Sequence, residues 1–188
     1  RGFNDEKLLA DYGIGWASPG WADTLNQLQK QEKFSKKDIS RAGLIKQKEG
    51  SDQNNFYDRF RGRIMFPLQD IHGNIIAFAG RIIDKTEPKY LNSPETPLYV
   101  KGRHLFGFNR AKEAIRKKNR ALIVEGYLDQ MRAHQNGIRN TVATCGTALT
   151  LEQASLLKNH TKQVTLIFDS DSAGQAATKK GFEVLLSQ

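Results

Sequence analysis

Residues 121–174 read ALIVEGYLDQMRAHQNGIRNTVATCGTALTLEQASLLKNHTKQVTLIFDSDSAG. Two short apolar runs in this stretch, 121–124 and 164–168, each lead straight into acidic residues: Glu125 after the first, Asp169 and Asp171 after the second. Apolar runs of this length without polar alternation suit strands buried in a parallel sheet. If the two strands are neighbours, their acidic residues emerge together at the carboxyl edge, where open α/β sheets bind ligands. Asp169 and Asp171 stand two apart in an extended segment, so their side chains are expected on one side, roughly 6.8 Å apart. Three hard oxygen donors facing one cleft suit Mg²⁺, which a few carboxylates hold together with waters and substrate phosphates. Taken singly, each motif has a plainer reading, because an acidic residue just after a strand often caps the next helix.

Working outward, residues 127–136 read as a helix ended by Gly137, and 141–144 as another strand. A further helix begins near Thr150, where Thr150 and Gln153 make a capping-box pattern, and a last one runs from about Ser172 to Leu186. A basic helix over 109–118 precedes them. Helix and strand therefore alternate from residue 109 onward, and the expected boundary divides a mixed amino-terminal subdomain, 1–108, from an α/β subdomain, 109–188. The amino-terminal part reads as a short helix over 4–11, a break at Gly13 and Gly15, a helix over 21–32, and a helix capped at Ser35 and closed near Gly43. KQKEGSDQNN is expected to be a polar loop. GRIMFPLQD and NIIAFAGRII read as strands of a hairpin joined through DIHGN, with Pro67 pointing to an edge or bulge on the first. The alternation in DRFRGRIMFPL places Arg59, Arg61 and Arg63 on one side of an extended segment.

At 188 residues and 38% hydrophobic, the chain can bury a real core. No apolar run reaches the roughly 20 residues needed to cross a bilayer, and RGFNDEKLLADYG lacks the apolar stretch of a secretory signal, so a cytoplasmic location is expected. The single cysteine, Cys145, has no partner for an intrachain disulfide, and the four histidines show no zinc-site spacing with it. The net charge of +9 favours a polyanionic partner. From Arg59 to Arg103 eight basic residues face four acidic ones, interleaved with aromatics, which is the composition of a surface that holds phosphates and stacks bases.

The EGY of Glu125–Tyr127, the VATCGTALT of Val142–Thr150 and the FDSDSAG of Phe168–Gly174 resemble the Toprim domain of bacterial replicative primases of the DnaG type. RFRGRIMFPL, AFAGRII, PKYLNSPETP and KGRHLFGFNRA resemble the basic amino-terminal part of the primase RNA-polymerase core, and RGFNDEKLLADYGIGWAS its opening segment. The resemblance covers essentially the whole chain. It implies an α/β protein, α+β overall, in which a basic subdomain with a small sheet precedes a Rossmann-like Toprim sheet. It also implies an enzyme of DNA replication, a DNA-directed RNA polymerase that makes short RNA primers from ribonucleoside triphosphates on a single-stranded DNA template at the bacterial replication fork. Asp169 and Asp171 match the metal-binding Asp-x-Asp, and Glu125 matches the acidic residue of the first Toprim motif, as a ligand or as a proton acceptor. Asp129, one helical turn further on, is a weaker metal candidate. Arg81, Lys89 and Lys101 match the basic residues expected to hold template, nucleotide or triphosphate, with Arg61 and Arg63 after them and Arg59 and Arg1 as weaker matches. The implied cofactor is Mg²⁺, with Mn²⁺ as a substitute and no zinc in this segment.

The chain departs from the family pattern in places. Ser170 stands where most relatives have glycine in the second Toprim motif, and Cys145 where a larger apolar residue is more usual. The sequence stops at Gln188, before the expected third acidic motif, and it includes neither a zinc-binding domain nor the domain expected to meet the replicative helicase. Two alternatives therefore stand beside primer synthesis. One is a segment that only binds single-stranded DNA; the other is a different Toprim enzyme, a topoisomerase or nuclease.

Overall fold

The computed structural model describes residues 3, 5–48, 50, 55–84, 87–144, 146 and 148–188; Arg1, Lys85 and Cys145 lie outside them. α1 (Glu6–Tyr12) opens the chain, and its Leu8 amide is taken by Asp5 Oδ1 at 2.9 Å. The elements beyond it fall into two units.

One unit comprises Leu9–Leu68 and Ile75–Tyr99. Here β1 (Gly15–Ala17), α2 (Asp23–Gln29), α3 (Lys36–Arg41), β2 (Ile45–Gln47), β3 (Phe56–Asp58), β4 (Arg63–Gln69), β5 (Ile75–Ile82) and β6 (Tyr90–Asn92) follow one another. Ser35 caps α3 as expected, in a reciprocal box with Asp38. The expected hairpin is β4–β5, within an antiparallel sheet ordered β1-β4-β5-β6. β1 pairs only with Arg63–Met65, so Pro67 lies past the end of that pairing, where a missing amide costs no ladder bond. β1 stands at the expected break, β2 takes in the first two residues of the expected polar loop and β3 follows its last, while residues 49 and 51–54 of that loop lie outside the described residues. At three residues each these strands are too short to carry a readable alternation, and β2 and β3 stabilise each other as an antiparallel pair.

A second difference concerns the arginine run. Gly62 adopts φ +60°, a left-handed turn that separates β3 from β4, so Arg59, Arg61 and Arg63 do not share one side of a continuous strand. α2 lacks a cap of its own, since Ala22 precedes it. Instead the buried Asp58 accepts from the amides of Thr24 (2.6 Å) and Leu25 (3.0 Å), supplying from β3 the acceptor that the helix start lacks. Leu25, Ile39 and Ile45 bury the contact between these helices and β2.

The other unit comprises residues 1–8, Gln69–Asn74 and Val100–Gln188. It contains a short 3₁₀ turn (Lys101–Arg103), then α4 (Phe108–Lys118), β7 (Ala121–Val124), α5 (Tyr127–Gln135), β8 (Thr141–Ala143), α6 (Leu151–Lys158), β9 (Val164–Ile167) and α7 (Ser172–Leu186). The three strands form a parallel sheet ordered β8-β7-β9, so the fold is α/β with a Rossmann-like second part. Ala121 and Ile123 of the central strand are fully buried in a core with Leu105, Phe108, Ile115, Val142, Leu149 and Leu157. β9 is less enclosed than a buried parallel strand should be. It is an edge strand, and Thr165 and Ile167 are exposed while Val164 and Leu166 turn toward the core. The Thr150–Gln153 capping box forms as expected, and Gln153 also donates from Nε2 to the His104 carbonyl at 2.8 Å.

Candidate functional site

The parallel register pairs Val124 with Ile167, so the chain leaves β7 and β9 at the same level. Glu125 and Asp169 thereby meet at the carboxyl edge. The Asp169 amide donates to Glu125 Oε1 at 2.9 Å, a bond between residues 44 positions apart. α7 starts directly beyond, and its first turn presses on this loop. A side-chain carbon at Gly174 would lie 2.1 Å from the Asp169 carbonyl oxygen and 2.9 Å from Glu125 Oε1, so the arrangement admits only glycine there. Gly174 is thus a residue of the site that the sequence showed only as part of a motif.

Asp171 keeps an extended backbone, φ −73° and ψ 172°. It is the N-cap of α7, with Oδ1 accepting the Gly174 amide at 2.8 Å, and this is the plainer role an acidic residue takes after a strand. The cap engages one Asp171 oxygen, Oδ1, with the amide of the first turn of α7. Asp169 and Asp171 are exposed, and the Asp169 carboxylate accepts no hydrogen bond among the described residues. Asp129 lies exposed in the first turn of α5, with Oδ2 curled back to 2.6 Å from where a Gly126 side chain would begin. Among the described residues no group of three or more His, Cys, Asp or Glu stands close enough to hold a metal. The donor chemistry still fits a hard cation: Mg²⁺ needs only one or two carboxylates when water and phosphate oxygens complete its octahedron.

The basic residues are described within their own units. A cleft of ≈ 540 Å³ is lined by Lys46, Arg59, Arg61 and Arg63 together with Asp84 and Glu87. Arg61 lies over the rings of Trp21 (4.3 Å) and Tyr57 (5.1 Å) and donates to the Asp58 carbonyl at 2.6 Å. Arg59 donates from Nε and Nη2 to the Asn92 carbonyl. Arg63 is buried and donates from Nη1 to the carbonyls of Gly80 (3.2 Å) and Pro88 (2.9 Å); burial, reinforced by Arg61, lowers its pKa from the ordinary arginine value. Each of these arginines donates to a backbone carbonyl, which fixes where its charge stands along the cleft. Arg81 on β5 lies over Tyr90 at 5.7 Å, and its buried Nε has no hydrogen-bond partner among the described residues, a donor whose desolvation is uncompensated. Lys89 is exposed after a turn in which its amide donates to Glu87 Oε2 at 2.9 Å. Lys101, in the other unit, occupies the 3₁₀ turn with Nζ 4.0 Å from where a Gly146 side chain would begin. Arg1 is outside the described residues.

Residues 1–112 match the family model for the DNA primase catalytic core, N-terminal domain, and residues 119–188 match the Toprim domain. The chain is 45% identical over 186 residues to the DNA primase of Clostridium acetobutylicum, covering 98% of this chain and 30% of that protein. It is 41% identical over 187 residues to the DNA primase of Deinococcus radiodurans, covering 99% and 32%. The chain therefore spans about three tenths of the length of these relatives. Among solved structures, a DNA primase domain from Pseudomonas aeruginosa superposes with a TM-score of 0.86 at 40% identity, covering 97% of this chain and 56% of that one. A DnaG primase catalytic domain bound to single-stranded DNA superposes with a TM-score of 0.84 at 37% identity, covering 96% and 55%.

Proposed function

Because the chain belongs to the DNA primase catalytic-core family, we propose that it carries part of the surface on which short RNA primers are made for DNA replication. The observation that supports this most directly is the meeting of Glu125 and Asp169 at the carboxyl edge of two adjacent parallel strands. The substrates are a single-stranded DNA template and ribonucleoside triphosphates, the product an RNA primer, and the setting the bacterial cytoplasm. A replicative helicase would be met through a domain outside this segment. The solved relative bound to single-stranded DNA supports the choice of template.

In this reading Asp169 and Asp171 hold Mg²⁺, with Mn²⁺ as a substitute, and Glu125 either joins them or takes the proton from the attacking 3′-hydroxyl. When bound, the cation neutralises charge that develops on the transferring phosphoryl group. Asp171 would serve the cation through the oxygen that does not cap α7, which keeps the carboxylate fixed while it binds. Asp129 is the reserve ligand. Arg81 and Lys89 would hold template or initiating nucleotide, and Lys101 the triphosphate. Arg61 and Arg63, with Arg59 and Arg1 in weaker roles, extend the phosphate-binding surface. An anion reaching Arg81 Nε would supply the partner that this buried donor lacks among the described residues. The functional division proposed is between residues 1–108, for nucleic acid, and 109–188, for chemistry.

A second reading, binding without turnover, rests on the cleft lined by Lys46, Arg59, Arg61 and Arg63, which can hold phosphates with or without a bound cation. The test is primer synthesis with Mg²⁺ on a single-stranded template, comparing this chain with the same chain extended to the catalytic length of its relatives. Synthesis by the extended chain, lost on Asp169→Asn, supports the primase reading. Template binding without product in both favours the binding module, and relaxation of supercoiled DNA favours a different Toprim enzyme.

A further inference from the structure

In a parallel α/β unit every helix-to-strand connection returns to the same edge of the sheet, opposite the carboxyl edge. Here three such connections, 117–120, 136–140 and 159–163, bring together Lys117, Lys118, Arg120, Arg139 and Lys162, all exposed, and contain no Asp or Glu. The strand-to-helix connections at the other edge carry Glu125, Asp169 and Asp171 and no Lys or Arg. The sheet thus separates charge, five cations at one edge from three acidic residues at the other.

Side-chain bonds tie the cationic edge into one surface. Lys118 donates to Asn140 Oδ1 at 3.4 Å, Arg120 donates from Nη2 to Gln163 Oε1 at 3.0 Å, and Asn140 donates to the Arg120 carbonyl at 2.9 Å. Those partners are neutral amides, and among the described residues none of the five cations belongs to an ion pair. Complementing the dipole of α4 accounts for Lys117 and Lys118, which lie in its last turn, but not for the other cations. Arg139 and Lys162 lie four residues beyond the ends of α5 (Gln135) and α6 (Lys158), whereas a dipole acts within the last turn. The three connections also contain no Phe, Tyr or Trp, so they offer no platform on which unpaired bases could stack.

We propose that this amino edge is a second nucleic-acid surface, one that grips the phosphate backbone of a duplex without reading its bases. Uncompensated cations on fixed connections favour phosphodiester contact, and the missing aromatics favour a duplex over a single strand. The choice of nucleic acid rests on the primase reading, while the surface is independent of the carboxylates that carry it.

The test compares the unaltered chain with K118Q/R120Q/K162Q and with R139Q/K162Q, the latter removing two cations that make no hydrogen bond among the described residues. Circular dichroism verifies folding, and fluorescence anisotropy follows a 20-base-pair duplex and a 20-nucleotide single strand across a salt series. Both variants should lower the slope of log affinity against log salt for the duplex, by about 2 to 3 for the triple variant, since each lost phosphate contact removes about 0.9. Single-strand affinity should change less than about twofold. Unchanged duplex binding in either folded variant overturns the proposal. So does equal loss on single strands, or a parallel loss of binding to phosphatidylglycerol vesicles, which would mark a general anion face. Primer synthesis on a single strand, measured alongside, reports separately on the primase reading.

Discussion

The Asp169 amide and Glu125 Oε1, 2.9 Å apart, join the loops after β9 and β7 into one structure. Glu125 therefore has a structural duty besides any chemical one: its carboxylate is the acceptor that fixes where Asp169 leaves the sheet. Its second oxygen makes no hydrogen bond among the described residues and is available for chemistry.

The two duties separate by substitution. Glu125→Gln keeps an oxygen acceptor for the Asp169 amide but removes the charge, so thermal stability should change by less than about 1 kcal/mol while primer synthesis in a catalytic-length chain falls by about 10² or more. Glu125→Ala should lose both. Melting curves and primer yield, measured together, check this; an active Glu125→Gln would confine the residue to its structural part.

Gly174→Ala tests the close approach of α7. The added carbon would sit 2.1 Å from a backbone oxygen, a clash that only backbone movement relieves, so about 1–3 kcal/mol of stability should be lost. The movement should also displace Glu125. The Asp169 amide resonance, read by NMR, should shift as its acceptor leaves.

Arg63 reaches two carbonyls with one nitrogen while lying across Gly80, whose missing side chain leaves room for it: a carbon there would stand 2.9 Å from Arg63 Cδ and from Phe60 Cδ1. Arg63→Lys keeps the charge but loses the planar fork, and should lower the denaturant midpoint by an amount equivalent to about 1–2 kcal/mol. Gly80→Ala should destabilise by a similar amount through crowding. The two together should cost less than their sum, because both disturb one contact.

Acid should weaken the second unit through His134. Burial lowers its pKa to about 4, against the opposing pull of its bond to the Thr141 carbonyl at 3.0 Å and with the help of nearby Arg139 and Arg110. In the unfolded chain the imidazole titrates near its ordinary 6.5, so the unfolded state binds the extra proton first. This contribution is complete above pH 6.5 and is lost as pH falls toward 4, in total about 3 kcal/mol. Urea midpoints between pH 7.5 and 4.5 should follow that slope, and His134→Gln should flatten it.

What the sequence made legible was what local rules govern. The alternation after residue 109, the Ser35 and Thr150 caps and the β4–β5 hairpin each depend on neighbours a few positions apart. The meeting of Glu125 and Asp169 was legible because parallel strands that end together deliver the next residues to one edge. Long-range choices were not. Nothing local distinguishes Asp171 as a ligand from Asp171 as a cap, since the cap engages only one of its two oxygens. Arg63 is buried because Gly80 and Pro88 turn their carbonyls to it across the sheet, and Gln130 and His134 share the Thr141 carbonyl in a fully buried cluster that helical spacing alone does not announce. β1, β2 and β3 exist only by pairing, which three residues of sequence cannot signal.

The helix start completed by Asp58 carries a kinetic consequence. Residues 23–29 cannot nucleate well by themselves, since their first amides wait for a carboxylate more than thirty positions away. A peptide cut from 21–32 should stay a random coil. In the intact chain α2 should consolidate only when β3 docks, which makes this helix a late event on the folding route and ties its persistence to that of a strand it never hydrogen-bonds through the main-chain ladder.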